Sequence, residues 1–339
     1  MDSEKILVIG GMGLIGSKVT SILASQGHAV TIFDNFQQFS DPRDFDYFSA
    51  LSYRKQLLSQ YKYSFIRGDS AQTTDLLNAF HKVEPDRVML LAAVPLAKAT
   101  DEMISNAVEY SVTAVSNILQ IAAHFNVKRF LYTSSSLVYG EFQYSPCDEQ
   151  HPCNPRTIYG SGKLAGELLT RSIAEFLGIP YTIVRPISVY GPGDINSLLS
   201  TRNLQRAIKS GIFPAGSLES MTDWTYVDDT ADGLCRALMQ DAFAGETFNI
   251  ARGCGRTLSD IIQILNDLGY PIRPGKVRGH SVKTLPKRGS LSIEKAKKML
   301  GFSPSVDLEE GLARCMQYVQ EQEHRKISES HDQASRALL

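Results

Sequence analysis

Tyr159 and Lys163, in the segment YGSGK, are side chains whose types and spacing could abstract a proton. Residues four apart share one face of an α-helix, so the Lys163 ammonium can lie beside the Tyr159 phenol. A phenol titrates near ~10, and work at neutral pH requires its pKa to fall by about three units, or roughly 4 kcal/mol. A neighbouring cation acts in that direction. The pair indicates a tyrosine base, although the same spacing also occurs on solvated helix faces.

Neighbouring residues predict that this pair lies early in a helix. Asn154 and Pro155 have the types preferred at a helix N-cap and at the first helical position. Gly160 and Gly162 each cost a helix about 1 kcal/mol relative to alanine. We expect a bulky group, such as a cofactor, to pack against them.

A second motif, GGMGLIG at residues 10–16, follows the apolar run KILVI and begins a helical pattern. Glycines there permit a tight turn and close approach to a pyrophosphate, which the free N–H groups of a helix N-terminus can bind. Asp34 ends the next apolar run, where a carboxylate either binds the adenosine ribose or terminates a strand beside Asn35. A 2′-phosphate would meet its negative charge, so the pattern predicts NAD rather than NADP. Asp69 is a candidate contact for the adenine amino group.

Bulk properties exclude several functions. The 339 residues carry 35 Lys and Arg against 36 Asp and Glu, without a basic run, so nothing indicates nucleic-acid binding. No apolar stretch reaches the ~18 residues of a membrane span, and the acidic start is unlike a signal peptide. The five cysteines lack a CxxC pair, which predicts reduced thiols in a cytoplasmic protein. The segment CDEQHPC at 147–153 matches no common metal spacing, so we expect a polar loop and no metal.

Short apolar runs alternate with helical patterns up to about residue 190, and this predicts an α/β fold with a doubly wound parallel sheet. The runs KILVIG and RVMLLA are apolar throughout, as expected of strands covered on both faces. The predicted helices span 14–26, 74–81, 103–125 and 156–177.

The chain is expected to divide into two lobes and a tail. Residues 1–187 should form the dinucleotide-binding domain, with 224–251 returning to its sheet. Glycine and proline signals after Pro186 indicate a smaller C-terminal α/β lobe for the substrate, from residues 188–223 and 252–321. Residues 322–339 are polar, and we expect a frayed tail there.

Together these motifs resemble the extended short-chain dehydrogenase/reductase family, within it the nucleotide-sugar epimerases and dehydratases typified by UDP-galactose 4-epimerase. The similarity covers nearly the whole chain and includes LLAA (90–93), YTSSSLVYG (132–140), RPISVYGPGD (185–194), DWTYVDD (223–229) and LSIEKAKKMLGFSP (291–304). It implies a Rossmann-type fold, NAD as cofactor, and a homodimer formed through a four-helix bundle. Helices 103–125 and 156–177 are the candidates for that bundle.

The resemblance also implies roles for single residues. Ser135 is the catalytic hydroxyl, with Ser134 and Ser136 as competitors for that role. Tyr159 is the base, and Lys163 lowers the tyrosine pKa and binds the nicotinamide ribose. The other expected NAD contacts lie in the glycine motif and at strand ends: Gly10, Met12, Gly13, Leu14, Ile15, Gly16, Asp34, Asn35, Asp69, Ser70, Leu91, Ala92, Ala93, Pro95, Pro186 and Ile187.

In the implied reaction, Tyr159 takes a proton from a sugar hydroxyl while a hydride passes to NAD, and the resulting ketone takes the hydride back on its other face. The dehydratases and decarboxylases of this family carry carboxylates after the catalytic serine. This chain has Ser136 and Leu137 there, and neither side chain can act as an acid or base. Epimerisation or simple oxidoreduction remains.

The substrate end departs from the family pattern. Ser188 stands where such epimerases commonly have Asn, and Thr222 where they have Arg, whereas Arg288 falls where a diphosphate-binding Arg is expected. The candidate substrate contacts are therefore Ser136, Ser188, Thr222 and Arg288. One missing charge-assisted contact is worth about 1.5–3 kcal/mol. The alternatives are a nucleotide-sugar epimerase, a dehydrogenase, ketoreductase or unusual dehydratase on an atypical or non-sugar substrate, and a non-catalytic NAD-binding protein.

Overall fold

The computed structural model of the protein describes residues 3–37, 45–94, 104–215, 217–276 and 287–337. The strands in these ranges are β1 (Lys5–Ile9), β2 (Ala29–Asp34), β3 (Ser64–Arg67), β4 (Arg87–Leu90), β5 (Arg129–Thr133), β6 (Tyr181–Pro186), β7 (Val189–Tyr190), β8 (Ile212–Ala215), β9 (Met221–Thr222), β10 (Thr225–Tyr226), β11 (Thr247–Ile250), β12 (Arg256–Thr257) and β13 (Arg273–Lys276).

The helices in the same ranges are α1 (Leu14–Ser25), α2 (Phe45–Leu58), α3 (Thr73–Val83), α4 (Ile104–Val108), α5 (Ala114–His124), α6 (Ile158–Leu177), α7 (Thr201–Ser210), α8 (Val227–Met239), α9 (Leu258–Asp267), α10 (Glu294–Leu300) and α11 (Leu308–Ala337). None of these helices is both long enough and apolar enough to cross a membrane.

A parallel sheet of seven strands, in the order β11-β6-β5-β4-β1-β2-β3, is the centre of the fold. One apolar cluster packs α1 and α8 on one face, and another packs α3, α5 and α6 on the opposite face. Strands β1, β4 and β5 are almost entirely buried because both faces are covered. The predicted doubly wound α/β fold is confirmed.

The segment predicted to return to the sheet contributes β11, which pairs in parallel with β6 at the sheet edge. Helix α8 of this segment packs on α1, whereas the short β10 pairs with β7 instead. Two further short pairs, β8 with β13 and β9 with β12, lie in the C-terminal part. That part has its own apolar cluster, which includes Phe213, Ile261 and Leu312.

The structure differs from three of the predictions, in the start of one helix, the continuity of another and the state of the tail. Helix α6 begins at Ile158 with Thr157 as its N-cap, three residues later than Asn154 and Pro155 suggested, because the Thr157 Oγ1 accepts the Gly160 N–H at 3.0 Å. The helix predicted at 103–125 is divided into α4 and α5 by a π-helical turn, Glu109–Thr113. The tail expected from residue 322 is helical as far as Ala337, since α11 continues through it.

Candidate active site

Strand β5 and the turn that follows it present a row of hydroxyls at the carboxyl edge of the sheet. The Ser134 N–H still donates to Val184 O of β6, at 2.8 Å. Ser135 is the extended N-cap of a 3₁₀ turn, Ser136–Val138, and its Oγ accepts the Leu137 N–H at 3.2 Å. Ligands of open α/β sheets bind at this edge.

Helix α6 carries Tyr159 in its first turn and Lys163 one turn later. The glycines between them do not make room for a cofactor, so that expectation was wrong. A Cβ on Gly160 would lie 2.6 Å from Leu137 O, and one on Gly162 would lie 2.9 Å from Ser111 Oγ. Side-chain-free positions let the 3₁₀ turn and the π-helical segment pack directly on α6.

Ser135, Tyr159 and Lys163 come together between these two elements. The Ser135 hydroxyl lies near enough to the Tyr159 phenol to lower the pKa of that phenol. The Lys163 Nζ donates to Thr133 O at 2.7 Å and lies 5.8 Å from the Tyr159 ring centre and 5.2 Å from the Tyr132 ring centre. The three side chains predicted from the motifs therefore share one site.

The electrostatics of the site differ from the expectation that Lys163 lowers the tyrosine pKa. Burial raises the pKa of Tyr159 to about 12, although the neighbouring Ser135 hydroxyl acts in the opposite direction. Burial lowers the pKa of Lys163 to about 8, against an opposing contribution from Glu167. Desolvation is the largest effect on both groups in the protein alone, so Lys163 by itself does not bring the pKa of the phenol near 7.

The glycine motif forms one wall of a cavity along the carboxyl edge of β1, β2 and β4. A Cβ on Gly10 would lie 2.6 Å from Ala92 N, and one on Gly16 only 2.3 Å from Gly10 O, so these two glycines permit close backbone packing. Gly13, the N-cap of α1, has more room, with its nearest neighbour at 3.2 Å. The helix N-terminus is therefore accessible to an anion such as a pyrophosphate.

Asp34 lines the same cavity, where burial raises the pKa of its carboxyl group. Its Oδ2 accepts the Met12 N–H at 2.9 Å and its Oδ1 accepts the Phe36 N–H at 2.8 Å. Each carboxylate oxygen has a second lone pair, so the group can still accept from a ribose. The glycine wall, the free helix N-terminus and this carboxylate fit an NAD molecule.

Most of the predicted cofactor contacts line this cavity: Gly10, Met12, Gly13, Leu14, Asp34, Asn35, Ser70, Leu91, Ala92 and Ala93. The side chains of Ile15 and Ile187 pack in apolar clusters, and Pro186 ends β6. Gly16 contributes packing rather than cavity wall. Pro95 lies outside the described residues.

Asp69 does not offer its carboxylate freely to an adenine. Its Oδ2 accepts the Tyr110 hydroxyl at 2.9 Å and the Asn35 Nδ2 at 3.1 Å. Tyr110 also hydrogen-bonds with Gln37, and both residues line the cavity. The motifs did not indicate Tyr110, because its role depends on the π-helical turn that carries it.

Arg54 of α2 is a second cavity residue that the motifs did not indicate. It is 5% exposed and donates to Met12 O at 3.2 Å and to Gly193 O at 2.8 Å, while its Nε has no hydrogen-bond partner. Burial lowers its pKa, and Asp194 and Asp34 oppose that effect. The sequence around Arg54 has weak apolar periodicity, so it did not indicate that this arginine lines the cavity.

Ser188, Thr222 and Arg288 also meet, although 100 residues separate the first from the last. The Ser188 and Thr222 hydroxyl oxygens lie 3.0 Å apart, and the Arg288 Nη2 lies 3.4 Å from Ser188 Oγ. Burial lowers the pKa of Arg288 to about 10, and no carboxylate within the described residues opposes this. A half-buried guanidinium that has no carboxylate beside it among the described residues is suited to binding an anion. Ser136 is buried, and its Oγ has no partner.

In the segment 147–153, His151 is buried and uses both ring nitrogens within the fold. Its Nε2 accepts the Gln143 N–H at 2.8 Å, and its Nδ1 lies 2.8 Å from Pro152 O. Across the described ranges, no group of three His, Cys, Asp or Glu side chains is arranged to hold a metal ion.

The fold and this site define a dinucleotide-dependent enzyme of the extended Rossmann type. Residues 6–251 match the model of the NAD dependent epimerase/dehydratase family, and the chain belongs to that family.

Relatives and solved structures agree with this assignment. The chain is 28% identical to an uncharacterised UDP-glucose epimerase, YtcB, of Bacillus subtilis, over 93% of this chain and 98% of that protein. It is also similar to UDP-glucuronic acid 4-epimerase from Bacillus cereus, in complex with UDP-glucuronic acid and NAD, at 27% identity and a TM-score of 0.82, covering 94% of this chain and 99% of the other. UDP-glucose 4-epimerase from Thermotoga maritima, with UDP-glucose, gives 25% identity and a TM-score of 0.81, with the same coverage of both chains.

Proposed function

We propose that this protein is an NAD-dependent epimerase that inverts a hydroxyl-bearing carbon, C4 by analogy with its relatives, of a UDP-hexose or UDP-hexuronate. The observation that carries the proposal is the meeting of Ser135, Tyr159 and Lys163 at the carboxyl edge of β5, beside a cavity that fits NAD. The similarity to the UDP-glucose epimerase YtcB and to the two crystallised 4-epimerases supports the choice of a UDP-sugar.

In this proposal Tyr159 is the base, and Ser135, whose hydroxyl lies near the phenol, orients the substrate hydroxyl. NAD, when bound, accepts the hydride from the substrate carbon and returns it to the opposite face of the ketone. Lys163 holds a positive charge next to the tyrosine ring and is fixed by Thr133 O. Because burial raises the pKa of Tyr159 to about 12, additional positive charge in the cavity is needed for the phenolate to form near neutrality.

Arg288, with the Ser188 and Thr222 hydroxyls, is proposed to bind the diphosphate of the substrate. One half-buried guanidinium and two hydroxyls give a weaker anion site than two guanidinium groups would, by about 1.5–3 kcal/mol. We therefore expect a comparatively high KM for simple UDP-sugars. The proposed ligands of NAD are the glycine motif, Asp34 and Arg54.

The function is tested by incubating the purified protein with UDP-glucose, UDP-galactose, UDP-glucuronate, UDP-galacturonate and UDP-N-acetylglucosamine, with NAD added. Proton NMR of the products identifies the inverted carbon. Product without net NADH supports epimerisation. NADH formed in proportion to product would instead support a dehydrogenase. Ser188 and Thr222, which depart from the family pattern, are the reason for considering this alternative. No conversion of any UDP-, GDP- or TDP-sugar, together with no NAD binding, would refute the proposal.

We also propose a homodimer through α4, α5 and α6, as the family resemblance implies. Large apolar side chains are exposed on two of these helices, at Ile104, Val108, Leu168 and Phe176. Leu168 and Phe176 are eight residues apart and share a helix face. Sedimentation should give twice the chain mass, and Leu168→Glu should give the monomer. A wild-type monomer at micromolar concentration would contradict this proposal.

A further inference from the structure

Glu167 has a buried carboxylate on the same helix as Tyr159 and Lys163. It lies one helical turn after Lys163 on α6 and is 1% exposed. Its Oε1 accepts the Ser134 hydroxyl at 2.6 Å and the Arg185 Nε at 2.8 Å. Its Oε2 accepts the Arg185 Nη2 at 2.6 Å. The carboxylate therefore joins α6 to the ends of β5 and β6.

The elements that Glu167 joins are those that carry the reacting groups. Ser134 directly precedes Ser135, and Thr133 provides the carbonyl oxygen that accepts the Lys163 Nζ. The carboxylate thus fixes the distance between the hydroxyl of Ser135 and the helix that carries Tyr159. A bidentate guanidinium pair holds this geometry more rigidly than a single hydrogen bond would.

The charge of Glu167 also faces Lys163 along the helix. The other groups that face the Lys163 ammonium are the Tyr132 and Tyr159 rings and the Thr133 carbonyl. Of the charged groups around it, Glu167 is the one that raises the pKa of Lys163 against the effect of burial.

Three groups face the Glu167 carboxylate itself. They are the Arg185 guanidinium of β6, the Arg171 guanidinium at 3.8 Å and, further away, the Cys153 thiol; the carboxylate also acts on the Tyr132 phenol, in addition to the Ser134 hydroxyl and Lys163 described above.

We propose that Glu167 is a positioning residue of the active site, whose carboxylate holds the end of β5 against α6 and supplies the negative charge that faces Lys163. The inference rests on the function proposed above. A carboxylate that serves only as the partner of Arg185 would have no effect on the protonation of Lys163, and this distinguishes the two roles.

The test compares Glu167→Gln, Arg185→Gln and the double variant. Loss of the carboxylate should lower the pKa of Lys163 by about one unit or more. The double variant should show the same shift, because the charge that acts on Lys163 is again absent, and removing both partners avoids an unpaired buried charge. Arg185→Gln keeps the carboxylate and should not lower the pKa. If Glu167 and Arg185 form a purely structural pair, the pKa of Lys163 should be the same in all three variants.

The readout is the free energy of unfolding in urea from about pH 6 to about pH 10, each variant being compared with the same variant carrying Lys163→Met. An unfolded lysine keeps its proton up to ~10.4. Stability therefore begins to rise where the folded Lys163 loses its proton, and that onset should move down by about one pH unit in Glu167→Gln and in the double variant. The alkaline limb of kcat should move in the same direction.

Ser134→Ala is the matched control, because it removes one hydrogen bond of Glu167 without removing charge, and its onset should stay where it is in the wild type. Coincident onsets in the wild type, Glu167→Gln and the double variant would overturn the inference, whatever the loss of turnover. Shifted onsets in a protein that converts no nucleotide sugar would refute the proposed function and leave the effect of Glu167 on Lys163 standing.

Discussion

The Lys163 ammonium donates a 2.7 Å hydrogen bond to the carbonyl oxygen of Thr133. Lys163 is thereby fixed at the end of β5, at the cost of burying a charge whose pKa falls to about 8. The charge of Lys163 serves the proposed reaction, whereas its burial lowers the stability of the fold.

Lys163→Met should raise the free energy of unfolding at pH 7 by up to about 3 kcal/mol and lower kcat by about 10²-fold or more. The folded pKa lies below the unfolded one, so the penalty is complete below about pH 8. It shrinks as the pH rises above that value and vanishes near ~10.4, where both states have lost the proton. Urea unfolding at several pH values measures the difference. The exposed Lys298→Met is the control, and a variant less stable than the wild type at pH 7 would contradict the prediction.

Tyr159→Phe should lower kcat by about 10²- to 10⁴-fold and change KM little, because the phenol acts only during proton transfer. Steady-state kinetics with the best UDP-sugar substrate measures both constants. Tyr144→Phe removes a hydroxyl from an exposed tyrosine and should leave both constants unchanged. A KM effect without a kcat effect would mean that Tyr159 binds substrate rather than reacting with it.

Arg54→Met should raise the dissociation constant of NAD by about ten- to a hundredfold, since a charge-assisted contact is worth about 1.5–3 kcal/mol. The residue is buried at the cavity wall and bridges Met12 O and Gly193 O. We expect Arg54 to contact the diphosphate of NAD. Calorimetry with NAD and with adenosine tests this, because adenosine lacks the diphosphate and its affinity should change far less. Arg206→Met, on an exposed face of α7, is the matched control. Equal losses for adenosine and NAD would indicate general damage to the cavity.

Arg288→Met should raise the KM for the nucleotide sugar by about ten- to a hundredfold and leave NAD affinity within about twofold. The guanidinium is half-buried beside Ser188 and Thr222, at the proposed substrate end. Its exposed neighbour Lys287, changed to Met, controls for loss of positive charge in the same segment. Unchanged KM would exclude Arg288 from the diphosphate site.

Gly160→Ala should lower both Tm and kcat, although alanine is the better helix former. The added Cβ would lie 2.6 Å from Leu137 O and push the turn that carries Ser135 away from α6. Ser161 is the next residue and is exposed, so Ser161→Ala is the control and should be neutral or slightly stabilising. Thermal unfolding and turnover give the two readouts, and a more stable, fully active Gly160→Ala enzyme would show that the turn can move freely.

The sequence predicted the strands well, because continuous apolar runs are local patterns, and such runs gave β1, β4 and β5. The family resemblance indicated Ser135, and the four-residue spacing indicated Tyr159 and Lys163. These side chains lie close together in the structure, and their catalytic role stays a prediction. Helix boundaries were predicted less well. Helix α6 has Thr157 as its N-cap because the Thr157 hydroxyl accepts the Gly160 N–H. By residue type alone, the preceding Asn154 and Pro155 were equally suitable for the start of the helix.

Properties that depend on long-range packing could not be predicted. The position of Arg54 against Gly193 joins residues 139 apart, and the meeting of Ser188 with Arg288 joins residues 100 apart. The direction of the Tyr159 pKa shift depends on burial, which a spacing of four residues does not reveal.

The π-helical turn Glu109–Thr113 has a consequence for how this protein can change by mutation. A π turn carries one residue more than an α turn, and each residue rotates a helix by about 100°. Before the turn, Val108 is exposed on the surface proposed for the second subunit, whereas within it Tyr110 reaches Asp69. Deleting one residue here would rotate the start of this helix against its end. The side chains that face the second subunit would then change position relative to those that line the adenosine end of the cavity. No single side-chain replacement can produce such a change of register.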